Sequence, residues 1–290
     1  MKLNSTKLEV LKNNRKWTAW LGLLPIIIFS VGFQIIPIIS LVRSSFTTKQ
    51  GVSIANFQRA FTPFIMDAFS NSIQLSTVTA FLGVSLGLIV AYAIVSTPNK
   101  LLQDSLIALA DVTTNFGGAP LAFAFIVTLG STGVITLLLK SVGVFLYPNF
   151  RIYSISGLAI AYLYFQLPLM IMLILPALLG LKKEWWEGAI NMGANSLQFW
   201  IHIGLPILAP SLMSSFFILF ANAFGAYATA WTLTGPDVNI VTVQIAALIR
   251  GEVQLEIGLA DALAVVSLFI VLSSVVGYLF LSNKAMRART

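Results

Sequence analysis

Lys182-Lys183-Glu184-Trp185-Trp186-Glu187-Gly188-Ala189-Ile190-Asn191-Met192-Gly193-Ala194, running on to Ile203-Gly204-Leu205-Pro206, is unlike the chain around it. It is polar, charged and helical in composition, and strongly apolar runs lie on both sides. It carries the only histidine, His202, and half of the six tryptophans: Trp185, Trp186 and Trp200. A long amphipathic insert between two apolar runs needs a second surface to cover its apolar face. The stretch therefore reads as a docking element set into a chain that is otherwise built for lipid.

The composition outside the insert fixes the class. The chain is 58% hydrophobic and 9% charged, with a mean hydropathy of +0.91, whereas a soluble domain carries roughly 25% charged residues. This predicts an all-α, polytopic membrane protein of one domain. The net charge of +7 does not point to nucleic acid, because the basic residues sit at the ends of apolar runs, as topology signals do. The absence of cysteine removes disulfides, thiolate metal sites and thiol chemistry. With one histidine and ten acids, no catalytic constellation is expected. The chain has no G-x-x-x-x-G-K-[ST], hence no phosphate cradle of its own.

Six apolar runs, at about 17–41, 68–95, 105–129, 154–179, 207–233 and 259–281, are long enough to span, since a bilayer core takes about 20 helical residues. They define a single transmembrane domain over 17–282, with a basic tail at 1–16, the insert at 182–204 and a short tail at 283–290. The first run is too long and too late for an ordinary cleaved signal peptide. Trp17 and Trp20 fit an interfacial anchor. Gly83 and Gly87 suit close helix contact in the second span. The third span holds Asp111, Asn115 and a Gly117-Gly118-x-Pro120 break. Such groups are costly in a membrane unless they face protein or water. Asp111 and Asn115, with Tyr164, Asn222 and Tyr227 from the fourth and fifth spans, are the candidate pathway residues. The stretch 130–152, split by Lys140, is expected as a short external helix or re-entrant piece, and 235–258 as a polar loop. Eleven Lys and Arg fall in the two tails, the loop between spans two and three, and the insert, against six elsewhere. The excess places both termini and the insert in the cytoplasm.

Within the insert, Glu184 and Glu187 lie toward the N-terminal end of a first helix, where the macrodipole favours acids. Gly193-Ala194-Asn195-Ser196 makes a break, and a second amphipathic piece runs from Leu197 through Phe199 and Ile203 to Pro206. Two short helices at an angle are expected.

The spacing Glu187-x-Ala189-x₃-Gly193-x₉-Ile203-x-Leu205-Pro206 resembles the cytoplasmic "EAA" loop of permease subunits of binding-protein-dependent ABC importers of type I. Gly188 is the one departure, standing where the family has alanine. The resemblance implies the following. Glu187, Gly188, Ala189, Gly193, Ala194, Leu197, Phe199, Ile203, Leu205 and Pro206 dock on a cytoplasmic ATPase. Glu187 anchors by a charge-assisted bond, Ala189 and Gly193 permit close approach, and Leu197, Phe199 and Ile203 fill an apolar groove. The partners are two ATPase copies, which carry ATP and magnesium, a second permease subunit and an extracytoplasmic binding protein. The setting is a bacterial cytoplasmic membrane. Two further stretches, Asn115–Phe125 and Phe220–Ala230, are similar to permeases of polyamine (spermidine and putrescine), aminoethylphosphonate, thiamine and ferric-ion importers. This implies a small polar solute, such as a polyamine or an aminophosphonate, as substrate. The competing reading is a stand-alone secondary transporter or channel, which calls for several intramembrane charges.

Overall fold

The computed structural model describes residues 22–48, 51–251 and 255–287. The basic tail 1–16, Trp17 and Trp20, and residues 288–290 lie outside the described residues. Twelve helices account for nearly all of the described chain. They are α1 (Gly22–Ser45), α2 (Ala55–Ala60), α3 (Pro63–Val95), α4 (Lys100–Thr114), α5 (Gly118–Leu129), α6 (Val134–Ser141), α7 (Ile155–Leu179), α8 (Lys183–Asn191), α9 (Ser196–Phe224), α10 (Tyr227–Thr234), α11 (Val241–Arg250) and α12 (Ile257–Arg287). A two-stranded hairpin, β1 (Thr47–Thr48) and β2 (Gly51–Val52), follows α1. Six apolar helical lengths can cross a membrane: α1, α3, Gly118–Ser141, α7, α9 and Ile257–Phe280. The protein is a multi-pass α-helical membrane protein.

The centre of the fold is the junction of α3, α7 and α9. Half of the α7 span is buried inside the protein and none of the α1 span is, so α7 is the axis and α1 lies on the outside. Two glycines let α3 approach its neighbours. A Cβ at Gly87 would sit 2.6 Å from Met170 Cγ, and one at Gly83 would sit 2.9 Å from Leu219 Cδ2. Close backbone approach of this kind is how helices gain contact where lipid offers no hydrophobic drive. The fully buried Gln166 donates from Nε2 to Thr79 Oγ1 at 2.8 Å, and the Thr79 hydroxyl in turn donates to Leu75 O at 2.8 Å. A polar crosslink therefore pins α7 to α3 inside the bundle. α12 closes the bundle against α9 and α1.

Prolines shape two of the spans. α1 widens to a π turn at Val31–Ile35 and α9 at Trp200–Gly204. Each π turn ends two residues before a proline, Pro37 and Pro206 respectively. Proline lacks an N–H and crowds the carbonyl four residues back; in both helices that carbonyl falls within the widened turn, where i→i+5 bonding leaves it room. Pro168 and Pro176 sit inside α7 without such a turn.

Four expected segments change. The run 105–129 is two helices, because the chain breaks at Asn115–Gly117: Gly117 is extended and Gly118 takes φ +68°. Pro120 follows in the first turn of α5, where its missing N–H has no intrahelical partner to lose. The apolar length then continues through the stretch read as a short external piece, as Gly118–Ser141. Its turn at Gly130–Gly133 needs glycine, since a Cβ at Gly133 would lie 2.5 Å from Thr128 O. The fifth run also breaks, at Gly225–Ala226, so α10 is a separate piece. Within the supposed polar loop, α11 forms a bent pair with the Tyr227–Asp237 segment, at 76°.

The hairpin and α2 fasten to the start of α12. Asn56 Nδ2 donates to Ser45 O at 3.0 Å and to Thr47 O at 3.1 Å. Arg59 pairs with Glu256. Its hydrogen bond holds the Glu256 carboxyl below the ordinary carboxylate range, against the opposing cost of desolvation. The pair therefore holds at neutral pH and is lost only as acid protonates Glu256.

Candidate functional site

The insert forms a helix–turn–helix. Lys182 is the N-cap of α8, and Glu184 falls in its first turn. Glu187 is exposed and pairs with Lys183 one turn earlier, Nζ to Oε1 at 3.1 Å. A pair this exposed contributes little to stability, so the carboxylate is free to exchange its partner. α8 ends in a Schellman motif: Ala194 N donates to Ala189 O at 3.0 Å and Gly193 N to Ile190 O at 2.8 Å. Gly193 is in the left-handed region, φ +83°, which explains the glycine here. A Cβ there would meet nothing within 4 Å, and the same holds at Gly188. Gly193 thus meets a conformational requirement within this chain, in addition to the close approach of a partner that the resemblance implies.

The turn opens directly into α9 through a capping box. Asn195 Oδ1 accepts from Gln198 N, and Gln198 Oε1 accepts from Asn195 N, both at 2.8 Å. The piece expected as a second short helix is the first turns of α9, which runs unbroken in the helical sense to Phe224. Ala189 and Phe199 are buried, Ile203 and Ala194 are half-buried, and Leu197, Leu205 and Pro206 are exposed. Phe199 therefore does not fill an outside groove. Its ring meets Trp186 of α8 edge-on, with centroids 4.8 Å apart, and so holds the angle between α8 and α9. Beside the expected Leu197, two apolar residues that were not expected also project: Met192 is 81% exposed and Ile190 49%. Their apolar character in a polar helix was the available signal. His202 bonds the Gln198 carbonyl at 2.9 Å, a turn back on its own helix.

A second feature lies where the two helix breaks meet. Gly118 N donates to Thr229 Oγ1 at 3.0 Å, joining the start of α5 to α10. The buried Tyr162 donates to Ala226 O at 2.8 Å, which satisfies a carbonyl freed by the second break. Between the breaks opens a cleft of about 500 Å³ lined by Asn115, Phe165, Asn222, Tyr227 and neighbouring backbone. Three of the five expected pathway residues, Asn115, Asn222 and Tyr227, come together here. Asp111 is exposed one turn before Asn115 on α4, outside the lining. Tyr164 also stands apart, its ring packed against Phe116 and Phe125 at 6.1 and 5.9 Å. The Arg250 guanidinium lies over Trp231 at 4.7 Å and Tyr227 at 5.8 Å, so the wall of the cleft is backed by a cation–π contact. Among the described residues no cluster of His, Asp or Glu could hold a metal ion.

Comparison with known proteins gives a consistent picture. No family model matches the chain. It is 24% identical over 224 residues to the spermidine/putrescine transport system permease protein PotB of Haemophilus influenzae, covering 74% of this chain and 78% of that protein. It is 24% identical over 239 residues to a probable sulfate transport system permease protein, cysT, of Nephroselmis olivacea, covering 80% and 78%. The ferric transport system permease protein FbpB of Actinobacillus pleuropneumoniae matches at 28% over 158 residues, covering 54% of this chain and 23% of that protein. In fold, the chain superimposes on a bacterial ABC transporter involved in the import of the acidic polysaccharide alginate with a TM-score of 0.73, at 19% identity, covering 96% and 99% of the two chains. An inward-facing methionine ABC transporter, MetNI, gives a TM-score of 0.53 at 14% identity, covering 79% and 100%. By sequence the chain is similar to permease proteins of several transport systems, and its fold is that of chains from ABC transporters.

Proposed function

We propose that this chain forms half of the membrane pathway of an ATP-driven importer and takes its drive through the 182–206 loop. The observation that carries the reading is the shape of that loop. A projecting helix bears an exposed Glu187, ends on a left-handed Gly193 and leads through a short capped turn into a helix that reaches the cleft. In this reading two copies of an ATPase supply ATP and magnesium, this chain binds neither, and a second permease subunit completes the pathway. An extracytoplasmic binding protein delivers the solute; one structural relative is an alginate transporter in complex with its periplasmic protein. The loop and both termini face the cytoplasm of a bacterial inner membrane. The chain itself is a transport subunit rather than an enzyme.

The substrate class is a small polar solute such as a polyamine or an aminophosphonate. Support comes from the spermidine/putrescine relative and from the amide side chains of Asn115 and Asn222 among the residues lining the cleft. Reconstitution with the ATPase and binding protein tests the whole reading. Glu187→Lys should abolish uptake and release the ATPase while leaving membrane insertion intact. Asn222→Leu should lower uptake with the ATPase still bound and basal hydrolysis retained. Normal uptake by Glu187→Lys would remove the docking assignment, and normal uptake by Asn222→Leu would remove the cleft from the pathway.

A further inference from the structure

Four aromatic rings connect the projecting helix to two different spans. Trp186 of α8 meets Phe199 at the start of α9, centroids 4.8 Å apart and nearly perpendicular. Phe199 meets Trp200 at 5.8 Å. Trp200 meets Tyr92, near the end of α3, edge-on at 4.9 Å. All three contacts have the edge-to-face geometry that aromatic quadrupoles favour. The contacts do not follow the backbone path: Tyr92 and Trp186 are separated in sequence by the whole of α4 through α7.

The relay sits on an irregular piece of helix. Trp200 begins the π turn that closes at Gly204, and its ring folds back over that glycine. A Cβ at Gly204 would lie 2.6 Å from Trp200 Cε3 and 2.9 Å from Cζ3. The glycine therefore sets where the Trp200 ring lies, and the ring in turn reaches Tyr92. Packed side chains of this kind move as discrete arrangements rather than deforming continuously. α9 would receive a displacement of α8 through the chain itself. α3 has no such covalent route: it packs on α9 farther along, where Gly83 meets Leu219, and near the docking end it meets α9 through the Tyr92 and Trp200 rings.

We infer that Trp186, Phe199, Trp200 and Tyr92 form a positioning relay that passes the movement of the docked helix to α3, with Gly204 fixing its geometry. The inference rests on the proposed docking of the 182–206 loop, and its test separates the two. The complete transporter is reconstituted with its ATPase and binding protein, and four quantities are read: ATPase retained on the permease, basal hydrolysis, hydrolysis stimulated by the loaded binding protein, and solute moved per ATP. Tyr92→Leu, Trp200→Leu and Gly204→Ala should keep the ATPase bound and basal hydrolysis within about twofold, while solute moved per ATP falls about tenfold or more. Tyr92→Phe and Trp200→Phe, which keep a ring, should restore most of the loss. Unchanged solute per ATP in Tyr92→Leu and Trp200→Leu would overturn the relay. So would Phe variants as defective as the Leu variants, since bulk rather than ring contact would then be at issue. Should Glu187→Lys uncouple the transporter while Tyr92→Leu does not, docking stands and the relay falls. Should Glu187→Lys keep both its ATPase and its uptake, the docking reading itself fails.

Discussion

Gly193 shows how one residue can be present for a reason other than the obvious one. A glycine in a docking helix suggests that a partner comes close. Here φ +83° and the two Schellman hydrogen bonds already demand it. A residue with a Cβ in the left-handed region costs about 1–2 kcal/mol, and asparagine less. Gly193→Val should therefore weaken ATPase binding and lower the thermal midpoint of the purified complex, with Gly193→Asn markedly milder in both. Equal defects in the two would favour steric exclusion by the partner over backbone strain. Phe199 makes the opposite point. An amphipathic period marks it as apolar-facing, but a period cannot tell the protein's own Trp186 from a partner's groove. Only the path of α8 back over α9 decides that.

At the scale of elements, the junction of α3 with α7 depends on absent side chains. With Met170 Cγ 2.6 Å from the place a Gly87 Cβ would take, Gly87→Val should cost about 1–3 kcal/mol by overpacking. A thermal shift assay in detergent should show the loss, and Met170→Ala in the same molecule should recover part of it. An unshifted melt for Gly87→Val would mean the two helices can separate freely. The glycine pair was legible in the sequence, as was the number of apolar lengths, because hydropathy over about 20 residues is a strong signal; the third length nevertheless runs over Gly118–Ser141 and not over 105–129. The two helix breaks were half legible. Gly117-Gly118-x-Pro120 marked the first, while the lone Gly225 inside an apolar run did not mark the second. Their meeting was not legible at all, since it depends on Gly118 and Thr229 binding across 111 residues of sequence. That meeting is what assembles Asn115, Asn222 and Tyr227 and leaves Asp111 and Tyr164 outside.

For the whole molecule, the proposed arrangement across the membrane rests on charge bias, and it is directly measurable. The chain contains no cysteine, so single cysteines can be placed at will. Lys182→Cys on the loop and Val52→Cys on the hairpin, where the valine is 87% exposed, should label from opposite sides of intact cells. An impermeant reagent should reach Val52→Cys alone. Labelling of Lys182→Cys from outside would invert the topology and exclude a cytoplasmic ATPase as its partner.

The continuity of α9 carries a mechanical meaning. Its 29 residues make a rod about 43 Å long at 1.5 Å per residue. One end is the capping box beside the projecting helix, and the other bears Asn222 at the cleft. A tilt of about 5° about the capped end would carry the far end sideways by about 4 Å, wider than a water molecule. Under the proposed function, small angular play at the docking end would be magnified into an opening on the scale of a solute, with no helix needing to melt.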